Sequence, residues 1–157
     1  MPPALASRYA RVAAAVAAAS RPEDGLEARM KFAADELWRE FGGHRPVSWV
    51  GFYFLRGEEM TLGPRRDKPA CSPIGLHGAC GQAALSGKTL VVRDVKDLGE
   101  SYIACDPRDR SEIVVPVFGP GCELIAVLDV DSAELATFDE EDRSGLEGLL
   151  AWFREAS

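Results

Sequence analysis

Residues 102–132 read YIACDPRDRSEIVVPVFGPGCELIAVLDVDS. The runs Glu112 to Phe118 and Glu123 to Asp131 are rich in Ile and Val, residue types that fit a pleated, half-buried surface, and the GPG at 119–121 turns one back beside the other. Packing accounts for the aliphatic residues. It does not account for Cys105 in the preceding turn, for Glu112 at the entry to the first run, or for Asp129 and Asp131 near the end of the second. Two residues apart on one strand, Asp129 and Asp131 share a side, while Leu128 and Val130 share the other. Two readings of these acids stay open. They face water where the strand ends, or they share a cleft with Glu112, in which case crowding of like charges leaves at least one of them protonated.

Working outward, VSWVGFYFL at 47–55 and Glu59 to Leu62 are expected to form an antiparallel hairpin turned at Arg56 and Gly57. Trp49, Gly51 and Tyr53 fall on one side and Val50, Phe52 and Phe54 on the other. Trp49 and Tyr53 are either core or the wall of a small pocket in which Gly51 leaves room. Before the hairpin, Leu26, Met30, Ala33, Leu37 and Phe41 recur at helical spacing and Gly42 and Gly43 stop that helix. The first twenty residues form a weaker helix, expected to pack loosely or to supply a homodimer contact.

After the hairpin, residues 63–78 are expected to be a loop, with three prolines, the cluster Arg65, Arg66, Asp67, Lys68, and Cys71. A short helix from Gly78 to Leu85 holds Cys80 and is closed by Gly87, and Leu90 to Val92 is a brief strand. A second irregular connection, Asp94 to Arg110, holds Cys105. Phe138 to Phe153 is the last helix, with Asp139 as N-cap, Asp142 completing the box, and Leu146, Leu149, Leu150 and Phe153 as its apolar stripe. The order implies α+β: a central, largely antiparallel sheet flanked by helices. Residues 1–25 are read as helix and linker, and 26–157 as the single functional domain.

The 157 residues include 25 Asp and Glu against 18 Lys and Arg, a formal charge of -7. That balance argues against a nucleic-acid partner, which would be met by excess Lys and Arg. No apolar run is long enough to span a membrane, and the Ala-rich N-terminus lacks the pattern of an export signal, so a cytoplasmic location is expected. Four cysteines in a reducing compartment suggest reactivity, metal binding or burial rather than a disulfide framework. Cys71, Cys80 and Cys105 sit in or beside the irregular connections, whereas Cys122, after the glycine turn, is read as structural or exposed. A zinc site joining His77 to Cys71, Cys80 and Cys105 competes with a reactive role. The cysteines lack the closely spaced pairs of such sites, and no metal is expected.

An acidic pocket suits a cationic ammonium. It also suppresses ionisation of a nearby thiol, an effect that a bound ammonium or amides near Cys105 would offset. A protonated acid there can donate to an oxygen that develops negative charge.

The combination of LGPRRDKPAC at 62–71, GACG at 78–81, YIACD at 102–106, SEIVVP at 111–116 and VLDVDS at 127–132 resembles the free methionine-(R)-sulfoxide reductases, enzymes built on a GAF domain. WVGFYFL at 49–55 and FDEEDRSGLE at 138–147 extend the resemblance from about residue 26 onward. It implies that Cys105 attacks the sulfur of free L-methionine (R)-sulfoxide, leaving a sulfenic acid on the protein. Cys71 then resolves this to a disulfide that thioredoxin reduces, with Cys80 a candidate for exchange. Glu112, Asp129 and Asp131 would hold the substrate and help protonate its oxygen, Trp49 and Tyr53 would line the space for its side chain, and no bound cofactor is implied. The chain departs from the family pattern at IGLHGACG, one residue shorter before Cys80, and at SYIACD, where Ser101 and Tyr102 replace Gly-His after one extra residue. In the loop before Cys71, Arg65 and Asp67 stand where the family has phenylalanine and glycine. The alternatives are a non-catalytic GAF binding module, a thiol redox sensor, and a reductase of peptide-bound methionine sulfoxide.

Overall fold

The computed structural model describes residues 4–42, 46–101 and 106–155. In chain order the elements are α1 (Leu5–Ala19), α2 (Leu26–Phe41), β1 (Val47–Arg56), β2 (Glu59–Arg66), β3 (Ile74–Gly75), α3 (Ala79–Ser86), β4 (Leu90–Val92), a 3-10 segment (Val95–Ser101), β5 (Ser111–Phe118), β6 (Leu124–Ser132), α4 (Glu140–Leu150) and α5 (Trp152–Glu155). The strands form one sheet in the order β3-β2-β1-β6-β5-β4, with every neighbouring pair antiparallel. This is the α+β arrangement expected from the sequence.

The two-residue period divides β1 as its side chains require. Val50, Phe52 and Phe54 join Leu128 and Val130 of β6 in a core beneath α1, α2 and α4, with Met30, Leu37, Leu146 and Phe153. Trp49 and Tyr53 turn to the opposite face, with Val127 and Val114 and with Ala79, Cys80 and Ala83 of α3. Apolar side chains on both faces explain why so hydrophobic a strand runs through the sheet's interior.

Three expectations are corrected. The strand expected to stop at Leu62 continues to Arg66, so the expected loop begins later and also contains β3. Pro64 had argued for a loop, but the β1–β2 register shifts between Gly51↔Arg65 and Tyr53↔Leu62, and the resulting bulge accommodates a residue with no N–H. The last helix breaks at Ala151 into α4 and α5, although Phe153 stays buried. The N-terminal helix does not pack loosely. Tyr9, Val12 and Val16 enter the main core, the Tyr9 hydroxyl bonds Asp142 Oδ1 at 2.7 Å, and Arg8 reaches the Glu40 carboxylate at 2.9 Å.

The capping box of α4 forms as read, with Glu141 N–H donating to Asp139 and Asp139 N–H to Asp142 at 2.9 Å. Among the described residues no helix is long and apolar enough to cross a membrane.

Candidate functional site

Antiparallel pairing assembles the site in rows across three strands. Asp131 lies opposite Trp49 on one side and Glu112 on the other, so β1, β6 and β5 each give one side chain to a single row. The next row is Gly51, Asp129 and Val114, and Tyr53 pairs with Val127 beyond it. Rows of an antiparallel sheet present their side chains to one face. Carboxylate oxygens of Glu112, Asp129 and Asp131 accordingly lie within 4.8 Å of one another. Asp129 is only 6% exposed, so the reading in which both aspartates face water is set aside.

This cluster floors a cavity of about 60 Å³ that Trp49, Tyr53, Lys68, Ile74, Cys80 and Asp109 help to line. The Trp49 and Tyr53 rings stand 6.0 Å apart at 40°. Gly51 between them is required by space, because a Cβ there would lie 2.2 Å from the Trp49 ring. Both aromatics also bind the loop that covers them. Trp49 Nε1 donates to the Lys68 carbonyl and the Tyr53 hydroxyl to the Cys71 carbonyl, each at 2.9 Å.

Cys80 reaches the cavity from the first turn of α3, where Gly81 packs so closely on Leu76 that a Cβ would lie 2.2 Å from its carbonyl oxygen. Cys71 is exposed and disulfide-bonded, whereas Cys80 and Cys122 carry free thiols, buried and exposed respectively. Cys105, with Tyr102, lies outside the described residues. His77 is exposed, and the described residues gather no zinc-like set of thiols and imidazoles.

The electrostatics follow from burial. Burial, then Asp131 and Glu112, push the Asp129 carboxyl well above the usual range, and burial followed by Glu112 and Asp109 does the same to Asp131. Burial and then the acidic cluster raise the Cys80 thiol, and burial with Asp129 raises the Tyr53 phenol. Asp129 Oδ1 is buried with no hydrogen-bond partner. An acceptor in that position wants a donor, and a cationic one would also relieve the crowding of charge. Three carboxylate oxygens could begin a site for a hard cation, but such ions want six or more oxygens; the two other acids of the wall are already engaged, Asp106 by Lys68 and Arg108 and Asp109 by Ser48, and Trp49, Ile74, Ala79 and Val95 offer none. A primary ammonium, with three donors and an apolar tail to follow, matches this lining better.

Four residues in or beside the cavity were not singled out by their pattern. Asp109 accepts from Ser48 Oγ at 2.8 Å, and Lys68 forms an ion pair with Asp106. Lys68 and Asp106 are 38 residues apart in sequence and Ser48 and Asp109 are 61 apart, too far for local periodicity. The available signal was opposite charge beside the cysteines, in DKPAC at 67–71 and ACDPRD at 104–109.

A family profile described as GAF domain matches residues 23–151. The free methionine-R-sulfoxide reductase of Neisseria meningitidis, solved in complex with its substrate, is 35% identical and superposes with a TM-score of 0.83 over 99% of this chain and 92% of its own. The reduced form of fRMsr from Staphylococcus aureus is 33% identical, with a TM-score of 0.84 and 94% coverage of both chains. The Escherichia coli free methionine-R-sulfoxide reductase is 38% identical over 107 residues, 67% of this chain and 63% of that protein. The matched stretches span between 59% and 65% of the curated relatives' lengths.

Proposed function

The chain belongs to the GAF-domain family, among the free methionine-R-sulfoxide reductases, and on that premise we propose that it reduces free L-methionine (R)-sulfoxide to methionine. The observation that carries this reading is the unpartnered, buried Asp129 Oδ1 within a three-carboxylate cluster, beside a wall of Trp49 and Tyr53. A free amino acid supplies an ammonium for the cluster and a thioether-sized chain for the aromatics. A residue inside a peptide has no such ammonium.

In this mechanism the Cys105 thiolate attacks the sulfoxide sulfur. The oxygen takes a proton from the acidic cluster, whose raised Asp129 and Asp131 keep one available. Transfer of that oxygen releases methionine and leaves Cys105 as a sulfenic acid: the sulfur of the substrate is reduced by two electrons and that of the cysteine oxidised by two. The Cys71 thiol displaces water from the sulfenic acid, forming the Cys71–Cys105 disulfide. A dithiol reductant of the thioredoxin class then takes up the oxidation as its own disulfide and returns both thiols.

Cys71 suits resolution because it is exposed at the cavity's covering loop. Cys80 does not, because burial and the nearby carboxylates hold its proton on. The reading is tested without any recycling partner. Reduced, reductant-free protein mixed with the free (R)-sulfoxide should release about one equivalent of methionine as the Cys71–Cys105 disulfide forms. No methionine released, with the same disulfide formed when hydrogen peroxide is added instead, would favour a thiol redox sensor.

A further inference from the structure

Among the described residues, Lys68 is the one cationic side chain lining a cavity whose other charged groups are Asp106, Asp109, Glu112, Asp129 and Asp131. Its position is fixed from the main chain, since its own carbonyl accepts the Trp49 indole N–H. Its side chain pairs with Asp106, but Asp106 does not depend on it. Arg108 holds the same carboxylate with Nε on Oδ1 at 3.1 Å and Nη2 on Oδ2 at 3.0 Å, and the Arg108 backbone N–H also donates to Oδ1.

The two partners differ in setting. The Lys68 side chain is 34% exposed and that of Arg108 76%, while Asp106 is 12% exposed. Lys68 can therefore turn to an incoming anion while Asp106 keeps its bidentate guanidinium. Asp109 connects this cation to the acidic cluster. Its carboxyl, raised chiefly by burial, is lowered by Lys68 and raised by Glu112, so it lies in the field of both. Cation and carboxylate cluster thus flank one small space.

We propose that Lys68 is the carboxylate-recognition residue of this pocket, exchanging Asp106 for the α-carboxylate of a zwitterionic amino acid whose ammonium is held by Glu112, Asp129 and Asp131. This rests on the reading of the cavity as a free amino-acid site. It adds a second criterion for rejecting peptide-bound methionine sulfoxide: an internal residue offers neither the ammonium nor the carboxylate. Lys68 acts on binding, and the reacting sulfur has no role for it.

The test compares wild type, Lys68→Gln and Lys68→Arg on free L-methionine (R)-sulfoxide and on its C-terminal amide, with folding checked by circular dichroism. A lost charge-assisted hydrogen bond should raise KM for the free acid about tenfold or more in Lys68→Gln. kcat should change far less, and KM for the amide should stay level or fall, because the pocket becomes more acidic when the lysine is gone. Lys68→Arg should retain most of the preference for the acid. An unchanged acid-to-amide selectivity in Lys68→Gln, with wild-type turnover intact, overturns this inference alone. Absence of turnover by wild type overturns the activity and this inference with it.

Discussion

The Tyr53 hydroxyl donates to the Cys71 carbonyl at 2.9 Å, so a cavity-wall residue in the middle of the sheet holds the main chain of an exposed cysteine. The bond makes the covering loop part of the pocket. Tyr53→Phe keeps the ring and removes this tether, at a cost of about 1 kcal/mol in stability. Methionine release in the first turnover should be nearly unchanged, while disulfide formation slows. Rapid-quench sampling with thiol alkylation separates the two steps, and equal slowing of both would count against the tether's role.

Gly51 leaves no room for a methyl group, because a Cβ would meet the Trp49 ring at 2.2 Å. Gly51→Ala should displace the indole, break its bond to the Lys68 carbonyl and cost about 1–3 kcal/mol through overpacking. Thermal denaturation measures the loss. Ligand affinity should fall with it, since the displaced ring occupies the cavity.

Stability should fall as pH rises through the cluster's titration. Asp129 and Asp131 have raised carboxyls in the fold, whereas an unfolded aspartate titrates near about 4. Between those values the folded chain binds more protons than the unfolded one, so the cluster's stabilisation is complete below about pH 4 and is lost as pH rises through the folded-state values. Asp129→Asn should match wild type below about pH 4 and exceed it by about 1 kcal/mol or more, roughly 2–4 °C in Tm for each kcal/mol, near pH 8. The same variant should bind the sulfoxide poorly. Parallel melting curves at all pH values would show that the cluster carries no such strain.

Cys80 should behave as a buried thiol. Its proton is held by burial and by Asp129, Glu112 and Asp131, so alkylation of the reduced, folded protein should leave it intact while exposed Cys122 reacts. Cys80→Ala should cycle repeatedly with thioredoxin, at a rate within about threefold of wild type, because it leaves Cys105 and Cys71, the proposed attacking and resolving thiols, in place. Loss of multiple turnover would assign Cys80 the resolving role instead.

Where one local rule sufficed, the sequence was readable. The 3.6-residue period of Leu26, Met30, Ala33, Leu37 and Phe41 placed α2, and the two-residue period sorted Trp49 and Tyr53 from Phe52 and Phe54. Alternation also put Asp129 and Asp131 on one side, but their burial depends on the register with Trp49 and Glu112, which alternation alone leaves open. Pro64 reads locally as a strand end, yet β2 runs through it because a bulge absorbs the missing N–H. The packing of α1 has no local signature, because Tyr9 and Arg8 hold it through polar ends that meet Asp142 and Glu40 far along the chain. Lys68, Asp106 and Asp109 reach the site through long-range loop contacts, for which no periodic signal exists.

Turnover of a free amino acid separates this protein's proposed activity from every alternative. A thioredoxin-coupled assay on the purified protein, with free L-methionine (R)-sulfoxide, the (S) form and an N-acetylated, C-amidated methionine sulfoxide in parallel, addresses it most directly. The account predicts sustained turnover of the free (R) form, lost in Cys105→Ser, with little on the other two. Comparable turnover of the blocked substrate, or none on any substrate by folded and fully reduced protein, would contradict it.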